Sequence, residues 1–580
     1  MFTRRRGSSS SGINLNMEMT DYYDKSRGDP ITRSTTTEDQ VSRGPLNFQK
    51  PILTLQENPK NIVEEKVIDG NEAFNQAVIL EPPRAFSRVS VVLYLCCLLG
   101  FLCSTMNGYD ASLFNALTIN HQFLDYFNGK ATGPWQALVS AMYQIGGVAS
   151  LPFVGPALDT YGRRVGMFIG AIIVVFGTII QGLTTGNAST GQFMAGRVLL
   201  GFGVNIASAA GPMYVVEVSH PAHRGVVTAL YNTFWFTGAI VASSAARGAD
   251  NLTGTISWAI PVWLQLLFSG IIVIMVFLLP ESPRWLYVNR KFDAAKRMLT
   301  KYHGEGNPDS IWVTLQLREY EEYLEMNGSD KRWWDYSALF RTRASRYRLF
   351  CNVMISIFGQ WAGNSVLSYF LSAVLDTAGV EGTIRKANLN LANNFQQFFF
   401  AVVGAVLVDR VGRRPLLIFG NVGCCLVWAG MCIASGIYQG SGEANKAAAD
   451  VMLFFIFLFG SIYSIGFTPL QALFPVEVLS FEMRAKGMAF SGLAVNMANL
   501  LNQFAWPIAL EDIGWKTYIV FCIWCAVQAT CIYFFIPETK NRTLEELDEI
   551  FSSPTPVKTS IEKKKVALAA NGEIVNVERV

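Results

Sequence analysis

Two ionisable side chains, Asp110 and Arg197, lie in long apolar stretches, where a charge is costly and usually serves a function. Asp110 ends the sequence Asn107-Gly-Tyr-Asp in the first stretch, and Arg197 lies close to the start of the fourth. If both stretches are antiparallel helices, a rise of about 1.5 Å per residue brings the two residues to similar depth. An ionised carboxylate would hold the guanidinium, and protonation would release it. Taken separately, Asp110 can also be a water-exposed carboxylate beyond a helix end, and Arg197 a cation extended toward the membrane interface.

Uncharged hydrogen-bonding side chains form a second group within the apolar stretches. They can join neighbouring helices, or they can line a path for a neutral polar solute. Their concentration in the second half of the chain favours a path, and one phenol nearby would add an aromatic surface or simply pack. These candidates are Asn232, Gln360, Asn364, Tyr369, Gln396, Gln397, Gln471, Asn496 and Asn499.

The composition indicates a lipid environment. Of 580 residues, 51% are hydrophobic and only 16% are charged, whereas soluble globular chains carry about 25% charged residues. The formal net charge of +3 is too small to suggest a nucleic-acid binder. We therefore expect a membrane protein rather than a soluble enzyme.

Twelve apolar stretches of roughly 20 residues follow one another, each long enough to cross about 30 Å of hydrocarbon. They should be helices, because backbone polar groups in lipid must be satisfied within the segment. The predicted fold class is an all-α membrane protein with two sets of six transmembrane helices. The expected spans are 89–112, 135–155, 166–184, 192–214, 226–246, 258–279, 349–372, 390–408, 415–437, 451–474, 486–508 and 515–536.

The segments outside the spans are polar. The predicted organisation is a disordered tail, a six-helix bundle, a central loop with short helices, a second six-helix bundle and a second tail, at 1–85, 86–280, 281–348, 349–537 and 538–580. Basic residues concentrate in the loops after spans two, four, eight and ten. By the positive-inside rule these loops, the central loop and both tails face the cytosol.

The two halves repeat one another. DTYGRR at 159–164 recurs as DRVGRR at 409–414, and PESP at 280–283 recurs as PETK at 537–540. Glu217 and Arg224 recur with the same spacing as Glu477 and Arg484. These charges can be solvated loop residues that only set the orientation, but the repeated spacing favours two ion-pair clusters that hold the cytosolic side closed. The predicted network comprises Asp159, Arg163, Arg164, Glu217, Arg224, Glu281, Asp409, Arg413, Arg414, Glu477, Arg484 and Glu538.

The motifs GRVLLGFGV at 196–204, PMYVVE at 212–217 and PESPRWL at 280–286, with the two Gly-Arg-Arg loops, resemble those of the sugar porter family of the major facilitator superfamily. The resemblance covers roughly 85–545 and implies an alternating-access fold with parallel six-helix repeats. Proton-coupled members look similar at Gly-Tyr-Asp and at the arginine of helix four, whereas uniporters typically lack that acid. The resemblance therefore implies that Asp110 and Arg197 couple a proton to sugar transport.

The substrate positions match the family only in part. Asn232 stands where the family has a glutamine, Gly359 replaces the first residue of a Gln-Gln pair, and Ala472 replaces a tryptophan. Smaller side chains should enlarge the cavity and suggest a disaccharide. The strings GQWAGN at 359–364 and TPLQAL at 468–473 also look like the fungal lactose permease and cellodextrin transporter branch.

We therefore expect a plasma-membrane symporter, not an enzyme, that imports a neutral disaccharide such as lactose or cellobiose with a proton. The alternatives are a transporter of another polyol-like or glycosylated metabolite, and a sugar sensor that does not transport. The expected partners are the sugar, the proton and the bilayer, with no nucleic acid, and we expect a monomer.

Neither a cofactor nor a metal is expected. The ten cysteines lie in apolar stretches without metal-ligand spacing, and the four histidines are scattered in or near loops. Two glycosylation sequons, at Asn187 and Asn251, fall in predicted outside loops.

Overall fold

Helices dominate the structure, a computed structural model of the chain. It describes residues 62–68, 72–118, 120–129, 134–186, 189–327, 336–365, 371, 374–375, 382–441, 445–540, 542, 544–562, 564–569 and 574–579.

The first half contains six long helical segments, three of them broken into two helices. Its elements are α1 (Glu72–Leu80), α2 (Arg88–Leu117), α3 (His121–Tyr126), α4 (Pro134–Ala149), α5 (Leu151–Gly155), α6 (Arg163–Gly182), α7 (Thr190–Val218), α8 (Arg224–Thr233), α9 (Trp235–Ala249), α10 (Ile256–Trp263) and α11 (Leu266–Met275). Two of the breaks lie close to a proline, Pro152 at the start of α5 and Pro261 inside α10. Proline removes a backbone donor and crowds the preceding turn.

Short helices α12 (Pro283–Val288), α13 (Phe292–Tyr302), α14 (Ile311–Asn327) and α15 (Ala338–Arg341) connect the halves. The second half repeats the long helices. Its elements are α16 (Arg343–Trp361), α17 (Thr383–Val411), α18 (Arg413–Gly440), α19 (Lys446–Gly466), α20 (Thr468–Val478), α21 (Phe481–Asp512), α22 (Thr517–Phe535), α23 (Leu544–Ser552) and α24 (Pro556–Ile561).

Nine helical segments of the described chain are long and apolar enough to cross a membrane, or ten when the bent pair α4–α5 counts as one span. The two other expected spans coincide with α16 and α21, although residues 366–370, 372–373 and 376–381 near the end of the seventh span are not described. Arginine and amide side chains interrupt the apolar residues of both helices, which makes them less apolar than a typical membrane-spanning segment. The helical fold class is confirmed.

A small antiparallel sheet adds strand structure that the sequence analysis did not predict. Its strands β1 (Ile62–Ile68), β2 (Lys564–Ala569) and β3 (Ile574–Arg579) pair in the order β1-β2-β3. Strand β1 and helix α1 therefore lie in a segment whose composition predicts disorder. Helix α1 packs against the segment that connects the two halves: the Phe74 ring lies 5.5 Å from the Trp312 ring, and Ser310 Oγ donates to Glu81, the residue after α1, at 2.7 Å.

Glycines bring the helices of the first half into direct backbone contact. A Cβ at Gly108 of α2 would overlap the Trp235 carbonyl of α9, and one at Gly201 of α7 would overlap the Tyr143 carbonyl of α4. Two large clusters of buried apolar side chains are each drawn mainly from one half. Close backbone approach therefore fixes the parts of α2 and α7 that carry Asp110 and Arg197.

Candidate proton and solute pathway

Asp110 lies inside α2, which continues to Leu117, so it is not a water-exposed residue beyond a helix end. Its side chain is fully buried, and neither carboxylate oxygen has a hydrogen-bond partner among the described residues. An ionised carboxylate in such a place pays a large desolvation cost. The site therefore suits a protonated acid in this conformation.

Arg197 is buried in the same region, at 4% exposure. Its guanidinium carbon lies 4.4 Å from the centre of the Phe114 ring and 5.3 Å from that of Tyr143. Phe114 follows Asp110 by four residues, so both side chains occupy one face of α2. Arg197 therefore lies beside the face of α2 that carries Asp110, but the predicted ion pair between the two residues is not formed among the described residues. The Gln265 side chain is also close to that carboxyl.

A cavity of about 220 Å³ lies between the two halves. Six of the nine predicted substrate residues line it, namely Asn232, Gln360, Asn364, Gln471, Asn496 and Asn499. None of the described residues that line this cavity carries a charge.

Gln471 organises one wall of the cavity. Its Nε2 donates to Tyr463 Oη at 2.6 Å, and that hydroxyl donates to the Gly359 carbonyl, also at 2.6 Å. Asn232, from the first half, donates to the Thr468 carbonyl at 2.6 Å and to Gln471 Oε1 at 3.4 Å. A Cβ at Gly359 would run into the Gln471 side chain. The space that Gly359 leaves is therefore filled, whereas Ala472 does line the open cavity.

Two amides of α21, Asn496 and Asn499, also line the cavity. Asn496 donates to Asn205 Oδ1 at 3.5 Å, which joins the second half to the first. Asn499 Oδ1 accepts from Ser365 Oγ at 3.4 Å. The lining of the cavity thus offers donors and acceptors on uncharged groups.

Gln396 and Gln397 do not line this cavity, contrary to the sequence-based prediction. Gln396 donates to the Phe457 carbonyl at 2.8 Å, and Gln397 packs against Gly460, both on α19. They join α17 to α19, the alternative role that the sequence left open. Tyr369 lies outside the described residues.

First-half residues that the sequence analysis missed complete the lining. They include the polar residues Asn107, Tyr143, Gln144, Asn205 and Ser208. Asn107 precedes Asp110 by one helical turn, so the helical period alone points it to the same side of α2.

The first ion-pair cluster centres on Glu217, whose carboxylate is 2% exposed. Arg163 donates to both of its oxygens at 2.9 and 3.2 Å, and Ser282 Oγ donates at 2.6 Å. Arg163 also lies 3.6 Å from Asp159. The end of the bundle that carries this cluster and the two Gly-Arg-Arg loops is called the basic face below.

The second cluster repeats this arrangement around Glu477. Arg413 donates to its two oxygens at 2.6 and 3.1 Å, and Thr539 Oγ1 donates at 2.6 Å. Arg413 also pairs with Asp409 at 2.9 Å. The repeat seen in the sequence is thus a repeat of side-chain geometry.

Among the described residues, one ion pair crosses between the halves at the basic face. Arg484 of α21 donates to Glu217 of α7 at 3.3 Å. Asp409 lies so close to Gly225 of the first half that a Cβ there would overlap its carboxylate. The two halves therefore touch at the basic face, which is closed in this structure.

The remaining network residues terminate helices. Arg164 donates to the Val276 and Phe277 carbonyls at the end of the sixth span, and Arg414 donates to the Tyr533 carbonyl at the end of the twelfth, at 2.7 Å. These contacts satisfy carbonyls that have no partner within the helix.

The carboxylates of Glu281 and Glu538 lie at equivalent places, the N-termini of α6 and α18. Glu538 accepts from the Arg413 amide at 2.9 Å, as expected of an anion at a helix N-terminus. Glu281 lies against Gly162, and burial raises the pKa of its carboxyl. Gly162 and Gly412 adopt φ of 100° and 105°, a conformation that favours glycine, which explains why both loops begin with it.

Arg224 departs from the predicted symmetry between the two ion-pair clusters. Within the described part of the chain it makes no ion pair, whereas its counterpart Arg484 crosses to the other half. Arg224 starts α8 and instead lies among the cations around Arg484.

The sequon asparagine Asn251 is exposed in the turn between α9 and α10, and Asn187 lies outside the described residues. Glycosylation stays a prediction.

Comparisons with known proteins identify the family. A high-affinity glucose transporter of Kluyveromyces lactis is 26% identical over 495 residues, which cover 81% of this chain and 86% of that protein. A probable quinate permease of Aspergillus flavus is 27% identical over 484 residues, which cover 80% and 88%. The solved structure of the proton:xylose symporter XylE bound to 6-bromo-6-deoxy-D-glucose superposes with a TM-score of 0.69 at 20% identity, covering 80% of this chain and all of that one.

These relatives do not single out the lactose permease or cellodextrin transporter branch. Residues 96–551 match the family described as Sugar (and other) transporter. The chain therefore belongs to this family of the major facilitator superfamily, as a multi-pass membrane transporter and not an enzyme.

Proposed function

We propose that the chain imports a neutral sugar together with a proton across the plasma membrane, with the basic face toward the cytosol. The observation that carries this proposal is the fully buried Asp110, which lies one helical turn from the cavity residue Asn107. A carboxyl that must be neutral when buried, and that faces Arg197 when ionised, can link protonation to a conformational change. The names of two similar proteins, a glucose transporter and a proton:xylose symporter, agree with this task.

The transport cycle follows from the two ends of the bundle. Sugar and proton enter from the face opposite the basic face while Glu217 and Arg484 hold the basic face closed. Protonated Asp110 lowers the cost of closing the bundle over the sugar. Separation of the Glu217–Arg484 pair then opens the basic face, and the return of Arg197 toward Asp110 favours loss of the proton.

The uncharged cavity supports a neutral substrate. Quinate, the substrate named for one relative, carries a carboxylate, and the described lining residues offer it no cation. A buried anion without a partner is strongly disfavoured. The same cavity fits other polyol-like or glycosylated metabolites, so the uptake panel below includes a polyol.

The size of the sugar rests on two opposing observations. Ala472 lines the cavity where the family has a tryptophan, which favours a disaccharide such as lactose or cellobiose. The cavity of about 220 Å³ lies below the usual range for ligand pockets, about 300–1,000 Å³, and favours a monosaccharide while the basic face is closed.

Uptake of labelled glucose, xylose, lactose, cellobiose and sorbitol into a transport-deficient yeast, at acidic and neutral external pH, tests substrate and coupling together. We expect sugar uptake that rises at acidic pH and concentrates sugar against its gradient. Asp110→Asn should abolish uphill accumulation, whereas the control Asp125→Asn, at an exposed carboxylate on α3, should not. Undiminished accumulation in the Asp110 variant would refute the symport mechanism, and a non-transporting sensor would show no uptake at all.

A further inference from the structure

Tyr143 of α4 touches both the sugar cavity and the proton site. It lines the cavity, its hydroxyl donates to Asn107 Oδ1 at 3.2 Å, and the centre of its ring lies 5.3 Å from the Arg197 guanidinium carbon. The side chain is 8% exposed. One rigid phenol therefore joins an amide that faces the solute to the cation that acts on Asp110.

Close packing holds the backbone that carries this phenol in place. Gly201 of α7 lies directly against the Tyr143 carbonyl, and Gly146, in the next turn of α4, lies against the Val198 carbonyl, beside Arg197. Helices α4 and α7 therefore cannot slide locally without steric overlap. The freedom that remains is in the side chains, which is where a signal between the two sites would pass.

We propose that Tyr143 is a positioning residue that couples occupancy of the sugar cavity to the charge of Asp110. The inference rests on the proposed proton symport and names the residue that links its two substrates. A sugar that hydrogen-bonds to Asn107 strengthens the contact that Asn107 already makes with the Tyr143 hydroxyl, and the ring held in this way keeps the guanidinium over Tyr143 and Phe114. Held there, Arg197 is less available to an ionised Asp110, so the protonated acid is favoured.

The electrostatic surroundings of Asp110 leave this role to few groups. Arg197 faces it from α7, the neutral Gln265 faces it from the junction of α10 and α11, and Tyr109 adjoins it on α2. Tyr109 is engaged elsewhere, since its hydroxyl donates to the Pro261 carbonyl at 2.7 Å. Control of Arg197 is therefore the most direct control of the acid.

Linkage makes the proposal measurable. If sugar raises the affinity for the proton, the proton must raise the affinity for sugar by the same factor. That factor is the ratio of apparent sugar affinities at acidic and neutral external pH, under conditions where binding limits uptake. A residue that only supports the fold would lower uptake at both pH values and leave the ratio unchanged.

The test compares wild type with Tyr143→Phe, which keeps the ring and removes only the hydroxyl. The probe is the sugar of the uptake panel that wild type transports best, and the affinity ratio should fall by about twofold to tenfold, the worth of one neutral hydrogen bond. Asn107→Ala should reproduce this fall, and the double variant should add little to it, because both changes break one contact. The matched control is Tyr126→Phe, which loses hydroxyl bonds to the Thr184 and Thr185 carbonyls outside the cavity lining.

A wild-type ratio in Tyr143→Phe, or a fall of equal size in Tyr126→Phe, would overturn the inference. Failure of the proposed symport itself would be seen separately, as a wild-type affinity that does not depend on pH. Tyr143→Trp supplies a second readout if the phenylalanine variant expresses poorly, since an indole keeps a donor but moves the ring, and it too should reduce the ratio.

Discussion

The ion pair between Glu217 and Arg484 predicts a measurable preference for the closed basic face. The internal repeat supplies the control, because Glu477 reproduces most of the surroundings of Glu217. Each carboxylate takes two hydrogen bonds from an arginine and one from a hydroxyl at 2.6 Å. Within the described part of the chain, only Glu217 of these two also bonds to the other half. Glu217→Gln and Glu477→Gln should therefore differ mainly by the contact between halves.

The size of the difference follows from that one contact. A hydrogen bond to a charged group contributes about 1.5–3 kcal/mol. At 3.3 Å, and with Arg163, Arg224 and Arg284 repelling Arg484, the lower value applies. About 1.5 kcal/mol corresponds to roughly a tenfold change in an equilibrium constant. Glu217→Gln should thus shift the equilibrium toward the open basic face about tenfold more than Glu477→Gln.

Distances between two spin labels measure this equilibrium directly. Asp293 on α13 and Lys558 on α24 are exposed positions beside the first and second halves, and the native cysteines are buried or half-buried. We expect a longer-distance population that grows in Glu217→Gln and stays near wild type in Glu477→Gln. Equal populations in the two variants would refute the reasoning. Glu477 is more exposed than Glu217, at 14% against 2%, and any effect of Glu477→Gln on stability is separate from the equilibrium between the closed and open basic face.

Three further predictions concern size, pH and closure. Ala472→Trp should reduce uptake of a disaccharide about tenfold or more and affect a monosaccharide less, and equal losses in the two uptake assays would show that this wall does not select by size. Burial lowers the pKa of the His303 imidazole to about 4, below the usual value of about 6.5. The imidazole therefore binds a proton more readily when α14 is unpacked than when α14 is packed against it. Packing of α14 should weaken as pH falls below about 6.5. Amide exchange in α14 at neutral and mildly acidic pH measures this loss, which His303→Gln should reduce; the neighbouring His220, whose pKa burial lowers to about 2, adds to the same loss. Gly225→Val should force Asp409 away and increase the longer label distance, whereas Gly248→Val, with open space around it, should not.

The sequence predicted the features that depend on length, period and local motif. Spans, Gly-Arg-Arg loops and the shared surroundings of Asp110 and Arg197 all follow from helix geometry, because a helix converts spacing into depth and face. Gly162 and Gly412 show the same at one residue, since their positive φ needs glycine whatever the surroundings.

Features that depend on the partner of a side chain were not predictable. Gln396 and Gln471 are both glutamines in apolar spans, yet one joins α17 to α19 and the other lines the cavity. The difference lies in helix rotation, which tertiary packing sets. Gly359 does not enlarge the pocket at its own position, for a similar reason. The Gln471 side chain occupies the space beside Gly359, and the position of Gln471 in the sequence does not reveal this contact.

The break in symmetry at Arg224 and Arg484 bears most directly on transport. In two perfectly equivalent halves, each ion-pair cluster would form within its own half. Neither cluster would then change when the basic face opens. Arg484 instead shares Glu217 with Arg163 and lies near two further arginines, so the crossing contact is weaker than the pairs within each half. A strong crossing pair would trap the closed state. Even a shift from 99:1 to 1:99 between the closed and open basic face takes about 5.5 kcal/mol, and the energy of the crossing pair adds to what substrate binding must supply. A crossing pair of about 1.5 kcal/mol is small enough for the combined binding of sugar and proton to overcome.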